Sequence, residues 1–284
     1  MGSFQGKVAV VTGAGSGIGR ALALGLADRG ARLALSDVDD SGLAATVEAA
    51  RAQRAEVHSA HLDVGDRVAF EAYAEAVAGH YGVVHQIYNN AGISGSGSSI
   101  LEATLADYDR LLAVNLWGVL HGTKIFLPHL IASGDGHVVN ISSLNGFMAQ
   151  PMLGEYVTAK FAVRGFTETL AAELAVSGAP VRATVVHPGG VHTNIATAAL
   201  EAREARGGTV TDADRARVRM YNEKLLVMPP EKAAAIILDG VAAGRPRVLV
   251  GRDAKAVDLL VRTLPRFYPR LVARVTRRML SRTG

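Results

Sequence analysis

Residues 7–12, Lys7-Val8-Ala9-Val10-Val11-Thr12, form a continuous apolar run without helical spacing. That is the pattern of a strand buried on both faces. A glycine-rich stretch follows, and residues 18–28 then carry a helical pattern ended by Gly30. The alternation repeats down the chain. Further strands are predicted at 32–37, 57–62, 85–88, 137–141, 181–186 and 247–250. Helices fall between them. One is capped by Ser41 and runs to about Arg54; another is capped by Asp66 and runs to about His80. Longer ones cover 105–131 and 155–175, and Pro229-Pro230 opens one that ends near Ala243. The Gly/Ser stretch Ser94-Gly95-Ser96-Gly97-Ser98-Ser99 reads as a loop, and 191–228 as irregular or helical and rich in charge. Strands alternating with helices at this spacing make parallel βαβ units. The expected fold is therefore α/β, a doubly wound parallel sheet of about seven strands with helices on both faces. It occupies residues 1–251 as one domain, followed by a tail over 252–284.

Composition narrows the class. The 284 residues include no cysteine, which removes disulfides, thiolate catalysis and cysteine-ligated metals and suits a reducing compartment. Met1 to Lys7 holds no apolar signal core behind a basic cap, and Gly2 lacks the rest of a myristoylation signal. No apolar run approaches the ~20 residues of a spanning helix. A soluble cytoplasmic protein is expected. The net charge is +4 but uneven: residues 245–284 hold eleven Lys/Arg against two Asp, a net of +9, which leaves −5 for residues 1–244. The basic character belongs to the tail, and an acidic body argues against a nucleic-acid partner.

Thr12-Gly13-Ala14-Gly15-Ser16-Gly17-Ile18-Gly19 joins the first strand to the first helix. A glycine turn there lets backbone N–H groups approach a pyrophosphate at the helix's positive end. Gly13, Ser16, Gly17, Ile18 and Gly19 are thus candidate cofactor contacts. The spacing departs from G-x-G-x-x-G, and glycines also serve plain helix–strand packing, but the flanking strand and helix favour a nucleotide. Asp37 ends the second strand, twenty-four residues after Gly13. A carboxylate there accepts hydrogen bonds from both hydroxyls of an adenosine ribose and repels a 2′-phosphate. No Lys or Arg stands at Ser16, Ser36 or Val38 to neutralise such a phosphate. NAD(H) is expected over NADP(H). Asp37 also suits capping of the loop into Asp39-Asp40-Ser41, which is compatible with ribose binding. Asp63-Val64 suits the adenine amine and ring face, or equally a strand-end turn.

Tyr156 and Lys160 stand four apart on one predicted helix face, and Ser143 lies thirteen residues before the tyrosine. A free tyrosine ionises near ~10. A neighbouring ammonium favours the phenolate, and an oxidised nicotinamide adds a second positive charge. Ser143 can donate to a substrate oxygen. Alone, Tyr-x-x-x-Lys is a chance pattern of many helices. In combination with the glycine turn, Asn89-Asn90-Ala91-Gly92, Asn115, Ser143 and Pro188-Gly189, in this order and spacing, the chain resembles the short-chain dehydrogenase/reductase family from about Gly6 to about Gly251.

That resemblance implies a Rossmann-type sheet and a role for each residue. Tyr156 is the general acid/base. Lys160 binds the nicotinamide ribose and lowers the tyrosine's pKa. Ser143, rather than Ser142, polarises the substrate oxygen. Asn115 anchors a water-linked proton path, which also explains an amide in an apolar helix. Asn89 braces the sheet while Asn90, Ala91 and Gly92 approach the cofactor. Pro188, Gly189, Val191 and Thr193 hold the carboxamide. No catalytic position is replaced.

The implied reaction is hydride transfer between NAD and a secondary alcohol or ketone. Selectivity is expected from Ser94 to Ser99, Asn145, Phe147, Met148, Met152, Leu153 and the segment from His192 to about Val227. The apolar residues after Ser143 suggest a hydrophobic substrate. A nucleotide-binding regulatory or scaffold protein without turnover is the alternative, which the intact catalytic set disfavours. No histidine spacing suggests a metal: His187 and His192 flank a Pro-Gly turn, and His58 and His61 point to opposite faces of a strand. Family analogy implies a homodimer or homotetramer through the two long helices. In the tail, Leu271, Val272, Val275 and Met279 against Arg270, Arg274, Arg277 and Arg278 look amphipathic, with Pro265 and Pro269 interrupting any continuous helix. Packing on the body or a neighbouring subunit is favoured there over a lid or contact with an anionic membrane.

Overall fold

A computed structural model of the chain describes residues 4–280. The readings of Met1, Gly2 and Ser3 lie outside the described residues. Seven strands form one sheet: β1 (Val8–Thr12), β2 (Arg32–Asp37), β3 (Val57–His61), β4 (Gln86–Asn89), β5 (Gly136–Ile141), β6 (Val181–Pro188) and β7 (Arg247–Val250). All pair in parallel, in the order β3-β2-β1-β4-β5-β6-β7. The order reverses direction between β1 and β4. In open α/β sheets the carboxyl ends of the strands at such a point frame a crevice.

The two-residue period of β1 explains why both faces are apolar. Ala9 and Val11 point into one core layer, Val8 and Val10 into the other. The first layer is closed by α1 (Gly17–Asp28) and α2 (Asp40–Ala52). The second is closed by α3 (Arg67–Tyr81), whose Phe70 and Tyr73 meet each other and Phe126 of a later helix edge to face at ring separations of 6.3 Å. Asp39, not Ser41, caps α2: its carboxylate accepts from the Gly42 N–H at 3.1 Å, while Ser41 only donates to it. Asp66 caps α3 as expected, accepting from Val68 and Ala69.

The long central helix is two, α4 (Leu105–Leu112) and α5 (Gly118–Ala132), joined by one π-helical turn at Ala113–Trp117. Contrary to the sequence expectation, this run is long and apolar enough by length and composition to cross a bilayer. It instead lends Leu111, Asn115, Val119, Phe126 and Leu130 to the protein interior, as a core helix does. Beside it lies α6 (Gly154–Ser177). The 191–228 segment forms α7 (Ile195–Ala205) and α8 (Asp212–Met220), and α9 (Pro230–Ala242) completes the first core layer against α1. The tail is helical too. After β7, α10 (Arg252–Thr263) buries Ala254 and Asp258, and the latter pairs with Arg247 at 2.7 Å. Pro265 separates α10 from α11 (Tyr268–Leu280), and Pro269 sits in the first turn of α11.

Candidate active site

The carboxyl ends of the central strands open into a cavity of about 1660 Å³. Its two ends do different work. At one end lies the loop between β1 and α1. Gly13 has φ +66°, and a side chain on it would press on the Ala91 backbone; one on Gly19 would overlap the Gly13 carbonyl oxygen. The loop is held by its neighbours. Thr12 Oγ1 accepts from the N–H groups of Asn90 and Ala91, each at 3.1 Å, and Asn90 Nδ2 donates to the carbonyls of Thr12 and Gly13. Bare N–H groups and space at a helix N-terminus fit a pyrophosphate.

Asp37 lines this end, its carboxylate accepting from Gly15 N–H at 2.7 Å and from Asp39 N–H at 3.0 Å. Asp37 thus closes the loop into Asp39 while also facing the cavity. Arg20 is the nearby cation, and it spends its guanidinium on Thr46 and the carbonyls of Gly15 and Gly42. Asp63 and Val64 line the cavity as well; Asp63 also closes its own turn by accepting from Gly65 N–H at 2.9 Å.

Ser143, Tyr156 and Lys160 converge at the other end. Strand β5 runs out at Ile141, so Ser142 and Ser143 enter the loop, and their roles split. Ser142 donates to the Lys160 carbonyl at 2.8 Å and braces α6, while Ser143 faces the cavity beside the phenol. Helical spacing stacks Lys160 below Tyr156, with Nζ 5.6 Å from the ring centroid. Lys160 donates to the Ile141 carbonyl at 3.0 Å, and burial lowers its pKa to about 8.

One electrostatic expectation is corrected here. Burial raises the Tyr156 phenol above its ordinary value, and the Ser143 hydroxyl opposes that only in part. The lysine does not make the phenol acidic in the protein by itself, because desolvation disfavours both the ammonium and the phenolate.

Asn115 and Gly19 are the two expected site residues that do not line the cavity. Gly19 lies behind the loop. Asn115 sits in the π turn, fully buried, and its amide is used at both ends: Oδ1 accepts from Ile93 N–H and Nδ2 donates to Ile93 O, each at 2.8 Å. The wide turn re-aims that one side chain at the backbone after β4. Asn89 braces the sheet as expected, donating to Thr123 at 3.0 Å and to Asn140 at 2.8 Å. Gly92, Pro188, Gly189, Val191 and Thr193 all line the cavity.

On the substrate side Ser94, Gly95, Ser96, Gly97, Asn145, Met148, Met152 and Leu153 line the wall as expected, joined by residues of α7 and α8. Ser98, Ser99, Phe147 and His192 do not. Phe147 is buried against the His187 ring, centroids 5.0 Å apart, and His192 is exposed outside the cavity.

Three supporting side chains escaped the sequence reading. His187 Nδ1–H donates to the Ser143 carbonyl at 2.7 Å and fixes the serine's loop; burial holds its pKa down to about 4, so the ring stays neutral. Glu155, next to the tyrosine and fully buried, accepts from Ser96 N–H and pins the Gly/Ser loop. Asp253, in the first turn of α10, accepts from Gly190 N–H at 2.6 Å. None sits in a local motif that announces the contact.

The family model for short chain dehydrogenase matches residues 7–204. The chain belongs to the short-chain dehydrogenase/reductase family of oxidoreductases. SadH of Mycobacterium tuberculosis, which carries a provisional oxidoreductase name, is 52% identical over 275 residues, 96% of each chain. The 1-deoxy-11-beta-hydroxypentalenate dehydrogenase of Streptomyces avermitilis is 34% identical over 221 residues, 77% of this chain and 81% of its own. Among solved structures, a short chain dehydrogenase/reductase from Burkholderia phymatum in complex with NAD superposes with a TM-score of 0.85 at 34% identity, covering 93% of this chain and 95% of that one.

Proposed function

We propose that the protein is an NAD-dependent dehydrogenase/reductase acting on a hydrophobic secondary alcohol or its ketone. One observation carries this reading: Ser143, Tyr156 and Lys160 meet at one end of a single cavity whose other end holds the open glycine loop and the Asp37 carboxylate. NAD, when bound, supplies the hydride acceptor. Asp37 binds the adenosine ribose and disfavours a 2′-phosphate, with Asp63 and Val64 at the adenine. Asn90, Ala91 and Gly92 flank the middle of the cofactor. Pro188, Gly189, Val191 and Thr193 hold its carboxamide.

Ser143 donates to the substrate oxygen, and Tyr156 takes the alcohol proton during oxidation and returns it during reduction. Lys160 keeps its remaining protons for the nicotinamide ribose and, with the charge of an oxidised ring, supports the phenolate. Asn115 holds the turn at Ile93 from which a water chain reaches Lys160. Leu144, Met148, Met152, Leu153, Ile195 and Leu200 along the wall support an apolar substrate. The assembly is a homodimer or homotetramer.

Tyr156→Phe tests the assignment. It lowers kcat by roughly 10²–10⁴ while NAD affinity, measured by calorimetry, holds. Wild-type kcat/KM is higher with NAD than with NADP. Turnover by the phenylalanine variant, or a clear NADP preference, overturns the corresponding part.

A further inference from the structure

We propose that helix α11 docks the protein on an anionic lipid surface. The helix has one apolar face and one cationic face. At 100° per residue, Leu271, Val275, Tyr268 and Val272 fall on one side, and Arg270, Arg274 and Arg277 on the side next to Leu271. The apolar side is only partly buried. Tyr268, Val272 and Thr276, spaced by four, are half-buried, whereas Leu271 and Val275 remain 46% and 42% exposed, and Phe267 just before the helix is 62% exposed. An apolar strip is thus presented to the outside with arginines along its edge.

Charge selects the occupant. Residues 245–284 carry a net +9. Arg247 and Arg262 are held by Asp258, but among the described residues no carboxylate pairs with Arg270, Arg274 or Arg277. A second copy presenting the same helix would bring these arginines together, which costs energy. Lipid phosphates instead offer many acceptors to guanidinium groups, while leucine, valine and the arginine stems enter the headgroup boundary. The rest of the chain, net −5, is repelled by such a surface, so contact is confined to this face. Helix α11 follows α10, which is fixed to the body: Ala254 is buried and Asp253 accepts from Gly190 N–H at 2.6 Å. This differs from the sequence expectation, which placed the tail on the body or a neighbouring subunit.

Full-length protein is sedimented with vesicles of phosphatidylcholine alone or of equal parts phosphatidylcholine and phosphatidylglycerol. Sedimentation does not depend on turnover, so its outcome is separate from that of the proposed activity. Binding is expected to the mixed vesicles only and to weaken as ionic strength rises. Arg270→Glu with Arg274→Glu and Arg277→Glu lowers the bound fraction by at least about tenfold. Leu271→Ser with Val275→Ser lowers it by roughly tenfold. Unchanged thermal melting of both variants shows that the body is intact. Absence of binding to the mixed vesicles, or equal binding of the variants, overturns the proposal. So does a charge-reversal variant whose only defect, by light scattering, is a lost subunit; the face would then belong to a second copy.

Discussion

Tyr156 begins from a disadvantage, a phenol that desolvation makes harder to ionise. The protein alone keeps it protonated at neutral pH, which suits a proton donor for ketone reduction. Alcohol oxidation needs the opposite form. Its kcat/KM is therefore expected to rise with pH, while that of reduction falls, as measured from full pH profiles in both directions. The nearest other titratable groups separate cleanly. His187 is held to about 4 and stays neutral throughout, so it contributes no limb. Lys160, lowered to about 8, is charged below that value and loses its proton above it. Its support for the phenolate fades there, and the oxidation profile is expected to flatten above about pH 8. Lys160→Met removes that bend and lowers kcat/KM across the range. An oxidation rate that declines steadily as pH rises contradicts the assignment of Tyr156 as the base.

Helix α10 reaches back to the cofactor end through Asp253, whose carboxylate fills the space beside Gly189 and Gly190. The matched family region ends at residue 204, yet this contact grips the segment proposed to hold the carboxamide. Asp253→Ala frees the Gly190 N–H and loosens the turn. A charge-assisted hydrogen bond contributes roughly 1.5–3 kcal/mol, and KM for NAD is expected to rise about tenfold with a smaller change in kcat. Steady-state kinetics check this; an unchanged KM removes Asp253 from the cofactor site. The same contact shows what sequence pattern could and could not supply. The seven strands were legible because strands buried on both faces leave continuous apolar runs, and the glycine loop because chain must pass close to chain there. Tyr156 and Lys160 were legible because four residues make one helical turn. Asp253 to Gly190, Glu155 to Ser96 and His187 to Ser143 span 63, 59 and 44 residues, so no local period encodes them. The π turn that aims Asn115 was hidden for a related reason: its residues fit an α-helix equally well. Phe147 was misplaced because an apolar residue near a pocket and one in the core look alike in sequence.

At the scale of the molecule, two of the exposed apolar regions call for different partners. One is the strip on α11, edged by arginines. The other lies on the helices behind the active site, where Trp117 in the π turn is 54% exposed and Phe161 on α6 is 40% exposed. These two elements pack side by side, and both side chains are uncharged. An isologous contact between copies suits such a face, since the same patch meets itself without repulsion. Light scattering is therefore expected to give a whole multiple of the 29.7 kDa chain mass. Trp117→Glu with Phe161→Glu places like charges across that contact and is expected to lower the assembly state. Because α6 also carries Tyr156 and Lys160, loss of the partner is expected to reduce kcat as well, even though neither substituted side chain lines the cavity. Arg270→Glu with Arg274→Glu and Arg277→Glu leaves the mass unchanged. A variant pair with the reverse behaviour, in which the α11 charges control mass and the α6 face does not, would assign subunit contact to the tail and leave the helices behind the site bare.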